Sequence, residues 1–258
     1  MKIGVVGLGL IGGSIFKKLK SLGYDVVGIS NSQKGKEKDI TDNLEDLSNC
    51  DVIFVATPMN KTIEKLHEIE NFVGKNAIVT DCCSLKDFLT KEKFNFNFIP
   101  SHPMAGTEFK GYENSFKDLF IGAKWVITQI SSTDTTLLEN LIKELGAAPI
   151  KTTPEEHDKA VALISHMPMV LAQALMEAIK DNELAQKLAS SGFRDMTRLA
   201  LSNTEMANDM VNLNHQNIQE AILNLYSSFG DLIKNYPEKI ELLKNNREKM
   251  YKDGKNIL

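Results

Sequence analysis

A histidine and a serine stand where short apolar runs end in this 258-residue chain, and two arginines stand in its helical half; these are side chains that move protons and hold anions. His102 follows the run in "FNFIPSHP" and precedes Pro103 and the glycine-containing "MAGTE", which turns it toward a crevice rather than a sheet interior. An unperturbed imidazole titrates near ~6.5 and accepts a proton at neutral pH; the alternative is a structural histidine. Ser84, in "TDCCSLK", can hydrogen-bond a substrate hydroxyl or N-cap a helix opening at Leu85, and one hydroxyl can do both. In "SSGFRDMTR", Arg194 and Arg198 are four apart on an expected helix, with Asp195 adjacent. That spacing makes either a carboxylate-binding fork or a solvated charge cluster. His157 and His166 are nine apart, off the i, i+4 spacing of helical metal ligands, and no cysteine lies near them; no metal is expected.

The elements that must position these residues begin with "KIGVVGLGLIGGS". A Met-Lys start and an apolar run superficially imitate a secretion signal, but the glycines argue otherwise. Gly7, Gly9 and Gly12, with Leu10 and Ile11 between them, have G-x-G-x-x-G spacing after a strand-like run and before a helical pattern. The first glycine permits the tight turn, the second lets backbone approach a pyrophosphate, and the third lets helix and strand pack closely. The helix start then offers N–H groups and a positive dipole end to phosphates. This predicts a dinucleotide site.

Further Val- and Ile-rich runs follow: "DVVGIS", "DVIFVATP", "NAIVTDCCS", "FNFIPSHP", "KWVITQI" and "APIKTT". Their alternation with helical segments predicts an α/β, Rossmann-type, doubly wound, mostly parallel sheet. Ligands of such sheets bind outside the carboxyl ends of the strands. Thr57 and Pro58 turn the chain there, beside the expected nicotinamide ribose or as an ordinary β-turn. After residue 153 the pattern is helical, with Pro154 in a first turn and Pro168 kinking or breaking the first helix. A long amphipathic helix is expected over residues 203–234, packed against a partner subunit or internally. The division is therefore 1–153, dinucleotide-binding, and 154–258, an all-helical substrate and dimerisation domain.

A formal charge of −4 predicts no nucleic-acid partner, and no uninterrupted apolar stretch reaches the ~18 residues of a membrane helix. Three cysteines, Cys50, Cys82 and Cys83, two of them adjacent, suggest free thiols in a reducing compartment; a cytoplasmic protein is expected. The second strand ends in "SNSQKGK" with no carboxylate to hold the adenosine ribose. Ser30, Asn31 and Ser32 can hydrogen-bond a 2′-phosphate, and Lys34 and Lys36 add counter-charge, so NADP is expected over NAD. The alternative is a solvated loop and no preference.

"VGLGLIGGS", "VATP", "TDCCSLK", "SHPMAGTE", "EHDKAVALISHMP" and "LASSGFRDMTR" occur in an order and spacing that resembles the prephenate and arogenate dehydrogenases of tyrosine biosynthesis. The resemblance runs through Arg198 and, more faintly, to the C-terminus. It implies oxidative decarboxylation of a cyclohexadienol. The histidine matching His102 accepts the proton of the ring 4-hydroxyl, the position of Ser84 helps hold that hydroxyl, and Arg198 binds a substrate carboxylate. Glu108, His157, Arg194 and Asp195 match positions that close or order the site, and His166 matches a histidine where packing and site roles overlap. Met169 stands where many prephenate-using members have a histidine, which tilts the expectation toward arogenate or dual use. A homodimer, and inhibition by tyrosine of unspecified strength, are further implications, and the length leaves no room for a regulatory domain or fused mutase. Two other readings compete: a β-hydroxyacid dehydrogenase or imine reductase, which would place a lysine or aspartate on the interdomain helix, and a dinucleotide sensor without chemistry.

Overall fold

In the computed structural model, which describes residues 1–107, 109–128 and 133–251, β1 (Lys2–Val6) runs into α1 (Leu10–Ser21), then β2 (Asp25–Ile29) and β3 (Ile40–Thr41). Next come β4 (Val52–Val55), α2 (Met59–Ile69), β5 (Ile78–Asp81) and β6 (Asn97–Phe98). These strands form one six-stranded parallel sheet in the order β3-β2-β1-β4-β5-β6, the doubly wound dinucleotide-binding order.

Side chains alternate across the sheet with the two-residue period of a strand, and this builds two cores. Val52 and Phe54 of β4 face Ile15, Phe16 and Leu19 of α1, while Ile53 and Val55 face Leu66 and Ile69 of α2. Covered on both faces, the strands read as continuous apolar runs.

The run "FNFIPSHP", expected as one strand, is two strands in different sheets. β6 closes the parallel sheet; after Pro100 the chain enters β7 (Ser101–Met104). β7 pairs antiparallel with β8 (Lys124–Thr128), and β8, through α3 (Thr136–Leu145), pairs parallel with β9 (Ala148–Thr152). Trp125 of β8 is fully buried and packs edge-on against Phe54 at 6.1 Å, joining this small sheet to the core beneath α1.

The chain divides into compact units Met1–His157 and Asp158–Leu258, the division falling inside α4 (Pro154–Val161). Beyond α4 the helix passes through one π turn, Ala162–His166, into α5 (Met167–Ala178). Pro168 sits at the start of α5, and the wider turn ahead of it accommodates a ring that cannot donate to the preceding turn. Then follow α6 (Glu183–Leu188), α7 (Ser191–Thr197), α8 (Thr204–Leu213), α9 (His215–Lys234) and α10 (Tyr236–Tyr251). The single helix expected over 203–234 is thus two, broken at Asn214, whose side chain turns inward to hydrogen bonds described below.

By length and composition the Pro154–Ala178 run is long and apolar enough to cross a membrane. It also buries His157, Asp158 and His166, and its π turn packs against α8 and α9. Of the apolar 18-residue window within this run, 28% is buried.

Candidate active site

The glycine turn is built by backbone proximity. The Gly7 N–H donates to Ile29 O at 2.9 Å, and its φ of +89° lies where a side chain is strained. A Cβ on Gly7 would lie 2.6 Å from Ala56 O, and one on Gly12 would lie 1.9 Å from Gly7 O. A Cβ on Gly9, by contrast, would meet no protein atom within 4 Å. Gly9 begins α1 with no side-chain cap and no acid in the first turn, so that turn's N–H groups are presented without a competing anion. Leu10 and Ile11 pack their side chains on the core and leave the backbone to the ligand side. A negatively charged, bulky group fits this cradle, as a dinucleotide pyrophosphate requires.

At the end of β2, Ser30 is buried and its hydroxyl lies 3.4 Å from that of Ser32, to which Gln33 Nε2 donates at 3.2 Å. Gln33 Oε1 is buried with no hydrogen-bond partner. Asn31 is exposed. The lysines are engaged: Lys34 pairs with Asp42 at 2.8 Å and Lys36 with Glu113 at 2.5 Å. At the end of β4, Thr57 Oγ1 lies 2.9 Å from Thr62 Oγ1 and Pro58 leads into α2.

His102 lies on β7, and its Nδ1 is 3.0 Å from His157 Nε2, with the rings edge-on. His157 is 2% exposed. In the tautomer that donates through Nδ1, the basic lone pair of His102 is on Nε2, and the imidazolium formed when that nitrogen takes a proton keeps its bond to His157. Ser84 is half-buried just past β5. No helix opens at Leu85, contrary to expectation: Lys86 is drawn fully into the protein, and only one 3-10 turn, Asp87–Leu89, follows. Ser84 is therefore not a cap.

What holds this corner is a pair that sequence reasoning passed over. Asp81 and Lys86 are both fully buried and form an ion pair. Asp81 Oδ2 accepts the Cys83 N–H at 2.8 Å and Oδ1 accepts the Ser101 N–H at 3.2 Å, while Lys86 donates to Ser101 O at 2.6 Å. The Ser101 hydroxyl accepts from Trp125 Nε1 at 2.9 Å and lies 2.8 Å from Thr80 Oγ1. Burial pushes the Cys83 thiol up to about 12 and the Cys82 thiol upward too, so neither is a nucleophile at neutral pH.

In the second unit, His166 is buried in the π turn and its Nδ1 lies 3.1 Å from Asn214 Nδ2. The same amide nitrogen donates to Asp158 O at 2.9 Å, and Asn214 Oδ1 accepts from Asn217 at 2.7 Å. This pattern orients the amide and makes His166 Nδ1 an acceptor, its proton on Nε2. Asn214 was not singled out from sequence; a lone Asn inside a helical pattern looks like a surface residue. Met169 is 4% exposed. Arg194 and Asp195 form an exposed pair at 3.4 Å on α7, whereas Arg198 begins a separate 3-10 turn, Arg198–Leu201. Both arginines nevertheless line one cavity of about 760 Å³ with Gln173, Met176 and Asp195. Glu108 lies outside the described residues, and among those described no three His, Cys, Asp or Glu side chains gather to hold a metal.

Residues 17–151 match the family model for the prephenate dehydrogenase nucleotide-binding domain, and residues 153–250 match that for the prephenate dehydrogenase dimerization domain. The chain belongs to the prephenate dehydrogenase family. The first match begins beyond the glycine turn, so that turn rests on its geometry. The prephenate dehydrogenase of Bacillus subtilis is 30% identical in an alignment 231 positions long that covers 80% of this chain and 62% of that protein. The chain thus spans less than two thirds of that relative. Synechocystis arogenate dehydrogenase superposes with a TM-score of 0.83 at 31% identity, covering 98% of this chain and 99% of that one. The A. aeolicus prephenate dehydrogenase, solved with hydroxyphenyl propionate and NAD+, gives 0.81 at 26% identity over 98% and 97% of the two chains. Membership in this family weighs against the β-hydroxyacid dehydrogenase and imine reductase readings.

Proposed function

We propose that this protein is a dehydrogenase that oxidises and decarboxylates prephenate or L-arogenate, forming 4-hydroxyphenylpyruvate or L-tyrosine, and that it works as a homodimer. The observation that carries the reading is His102, the second residue of β7, with its Nδ1 3.0 Å from Nε2 of the buried His157.

His102 accepts the proton of the ring 4-hydroxyl, and Ser84 hydrogen-bonds that oxygen. A bound nicotinamide supplies the hydride acceptor. As the hydroxyl proton moves to His102 and hydride leaves the same carbon, the oxygen forms a C=O bond there. The C–C bond to the ring carboxylate then breaks to release CO₂, and its electron pair passes through the ring to that oxygen, which regains a proton from His102. The ring becomes aromatic, which makes the reaction irreversible in practice. Arg198 is assigned to a substrate carboxylate, where a planar guanidinium donates two parallel bonds. Arg194, Asp195 and Glu108 are assigned to ordering the site, as is His166, held as an Nε2–H donor by Asn214. The pyrophosphate is assigned to the first turn of α1, with Gly7, Gly9, Leu10, Ile11 and Gly12, and the ribose end to Thr57 and Pro58.

Two finer choices follow. A buried thioether at Met169 offers a polar substrate side chain no strong hydrogen bond, which favours arogenate or dual use. Ser30, Asn31, Ser32 and Lys34 favour NADP over NAD, but modestly, because Asp42 already offsets the Lys34 charge. The experiment is steady-state kinetics with both substrates and both cofactors, following reduced nicotinamide and CO₂ together, with tyrosine added as a competing ligand. Stoichiometric formation of both products supports the reading, and reduction without CO₂ overturns it. Ser30→Asp should depress the specificity constant for NADP far more than for NAD. A higher specificity constant with NAD in the unmodified protein overturns the cofactor preference.

A further inference from the structure

We infer that Asp81 and Lys86 are positioning residues that set Ser84 against His102, an assignment that rests on the proposed function. One carboxylate bridges the two segments that carry them. Asp81 Oδ2 holds the N–H of Cys83, the residue immediately before Ser84, and Asp81 Oδ1 holds the N–H of Ser101, the residue immediately before His102. Ser101 belongs to β7 and Asp81 to β5, strands of different sheets with no ladder between them. The Ser101 hydroxyl adds a bond to Asp81 O at 2.9 Å, and Lys86 closes the ring by donating to Ser101 O while neutralising the carboxylate.

Physical chemistry favours position over stability as the pair's role. Both side chains are 0% exposed, and charges taken out of water in this way gain little net stability over apolar side chains of similar volume. What such a pair does supply is a fixed, directional register across a seam where no β-ladder fixes one. General acid–base work is sensitive to that register, because a displacement of about 1 Å can cost on the order of a hundredfold in rate.

The test replaces the pair with a neutral one, Asp81→Asn/Lys86→Met, in the full chain. The amide oxygen can keep one of the two N–H contacts, so the segments are loosened without a buried charge. Four quantities are read: melting temperature, dinucleotide Kd, kcat and KM for the substrate the wild type uses, and the ¹⁵N signals of the His102 ring. The expected result is a melting temperature near wild type, Kd within about twofold, KM little changed, kcat lower by roughly a hundredfold, and displaced His102 signals. In that background Ser84→Ala should cost much less than it does alone, since the serine is already out of register. If the double variant does not fold, Lys86→Gln, which retains a donor for Ser101 O, should lower kcat roughly tenfold at unchanged KM. Unchanged kcat and unchanged His102 signals in a folded variant overturn the assignment. The ring signals report on position even if the wild type turns over neither substrate, a result that would instead count against the proposed function.

Discussion

Replacing His157 by Phe tests how the base is oriented. The His102 Nδ1–His157 Nε2 bond is 3.0 Å long, His157 is 2% exposed and His102 is part-buried, so water cannot fully take over as acceptor. Leaving a buried donor unsatisfied costs about 1–3 kcal/mol, with the upper half applying where the donor becomes charged. The His102 ring is charged only after it has taken the substrate proton, so the loss falls on the transition state. About 2–3 kcal/mol corresponds to roughly 30- to 150-fold in kcat. The assay is steady-state turnover of His157→Phe beside His157→Gln, whose side-chain oxygen can accept the same N–H, with dinucleotide Kd measured on each. His157→Gln should recover most of the turnover and both should bind the dinucleotide normally. Equal activity in both variants and the wild type would refute the orienting role. Equal loss in both would mean that the ring itself, not its acceptor, matters.

The glycine turn separates fold from ligand: Gly9→Ala should keep the wild-type melting temperature but weaken dinucleotide binding at least tenfold, whereas Gly12→Ala, with its Cβ 1.9 Å from Gly7 O, should lose stability as well; calorimetry and titration of both variants check this. Arg198→Ala should raise KM roughly ten- to hundredfold with a smaller effect on kcat, from the loss of a charged contact of about 1.5–3 kcal/mol; unchanged KM would make it a surface charge. His67 has its pKa raised by the Glu92 and Glu70 carboxylates, each 3.0 Å away, against a smaller desolvation effect. Its contribution is therefore full below the unfolded value of about 6.5 and disappears as pH rises through the folded value. His67→Ala should accordingly lower stability more near about pH 6 than near about pH 8.5, by less than about 1 kcal/mol because the side chain is nearly half exposed, and melting curves at the two pH values check this.

Much of the parallel sheet was legible because a strand covered on both faces must be apolar throughout, and "KIGVVG", "DVVGIS" and "DVIFVATP" are bounded by turn residues. The place of Ser84 just past the end of β5 was legible for a related reason, whereas His102, expected just after a strand, lies inside β7 of the second sheet. Which strand pairs with which is a non-local matter, and so the sheet change between Phe98 and Ser101 left no mark in the local pattern beyond Pro100. Two-residue β3 is held by its neighbour β2 and carries no periodicity of its own. The Asp81–Lys86 pair was invisible because an Asp at a strand end and a Lys in the segment after it ordinarily point to water; their burial follows from the sheet seam that they bridge. Asn214 breaks a helix whose apolar period runs on across it, and only the His166 ring and Asp158 carbonyl explain why its side chain turns inward.

The role of His102 as proton acceptor is tested most directly by kcat of His102→Asn at neutral pH, determined on protein whose dinucleotide Kd is measured in parallel. The expected result is unchanged dinucleotide binding with kcat lowered by ~10²–10⁴. Turnover within a few-fold of the wild type, with the dinucleotide bound normally, would contradict it.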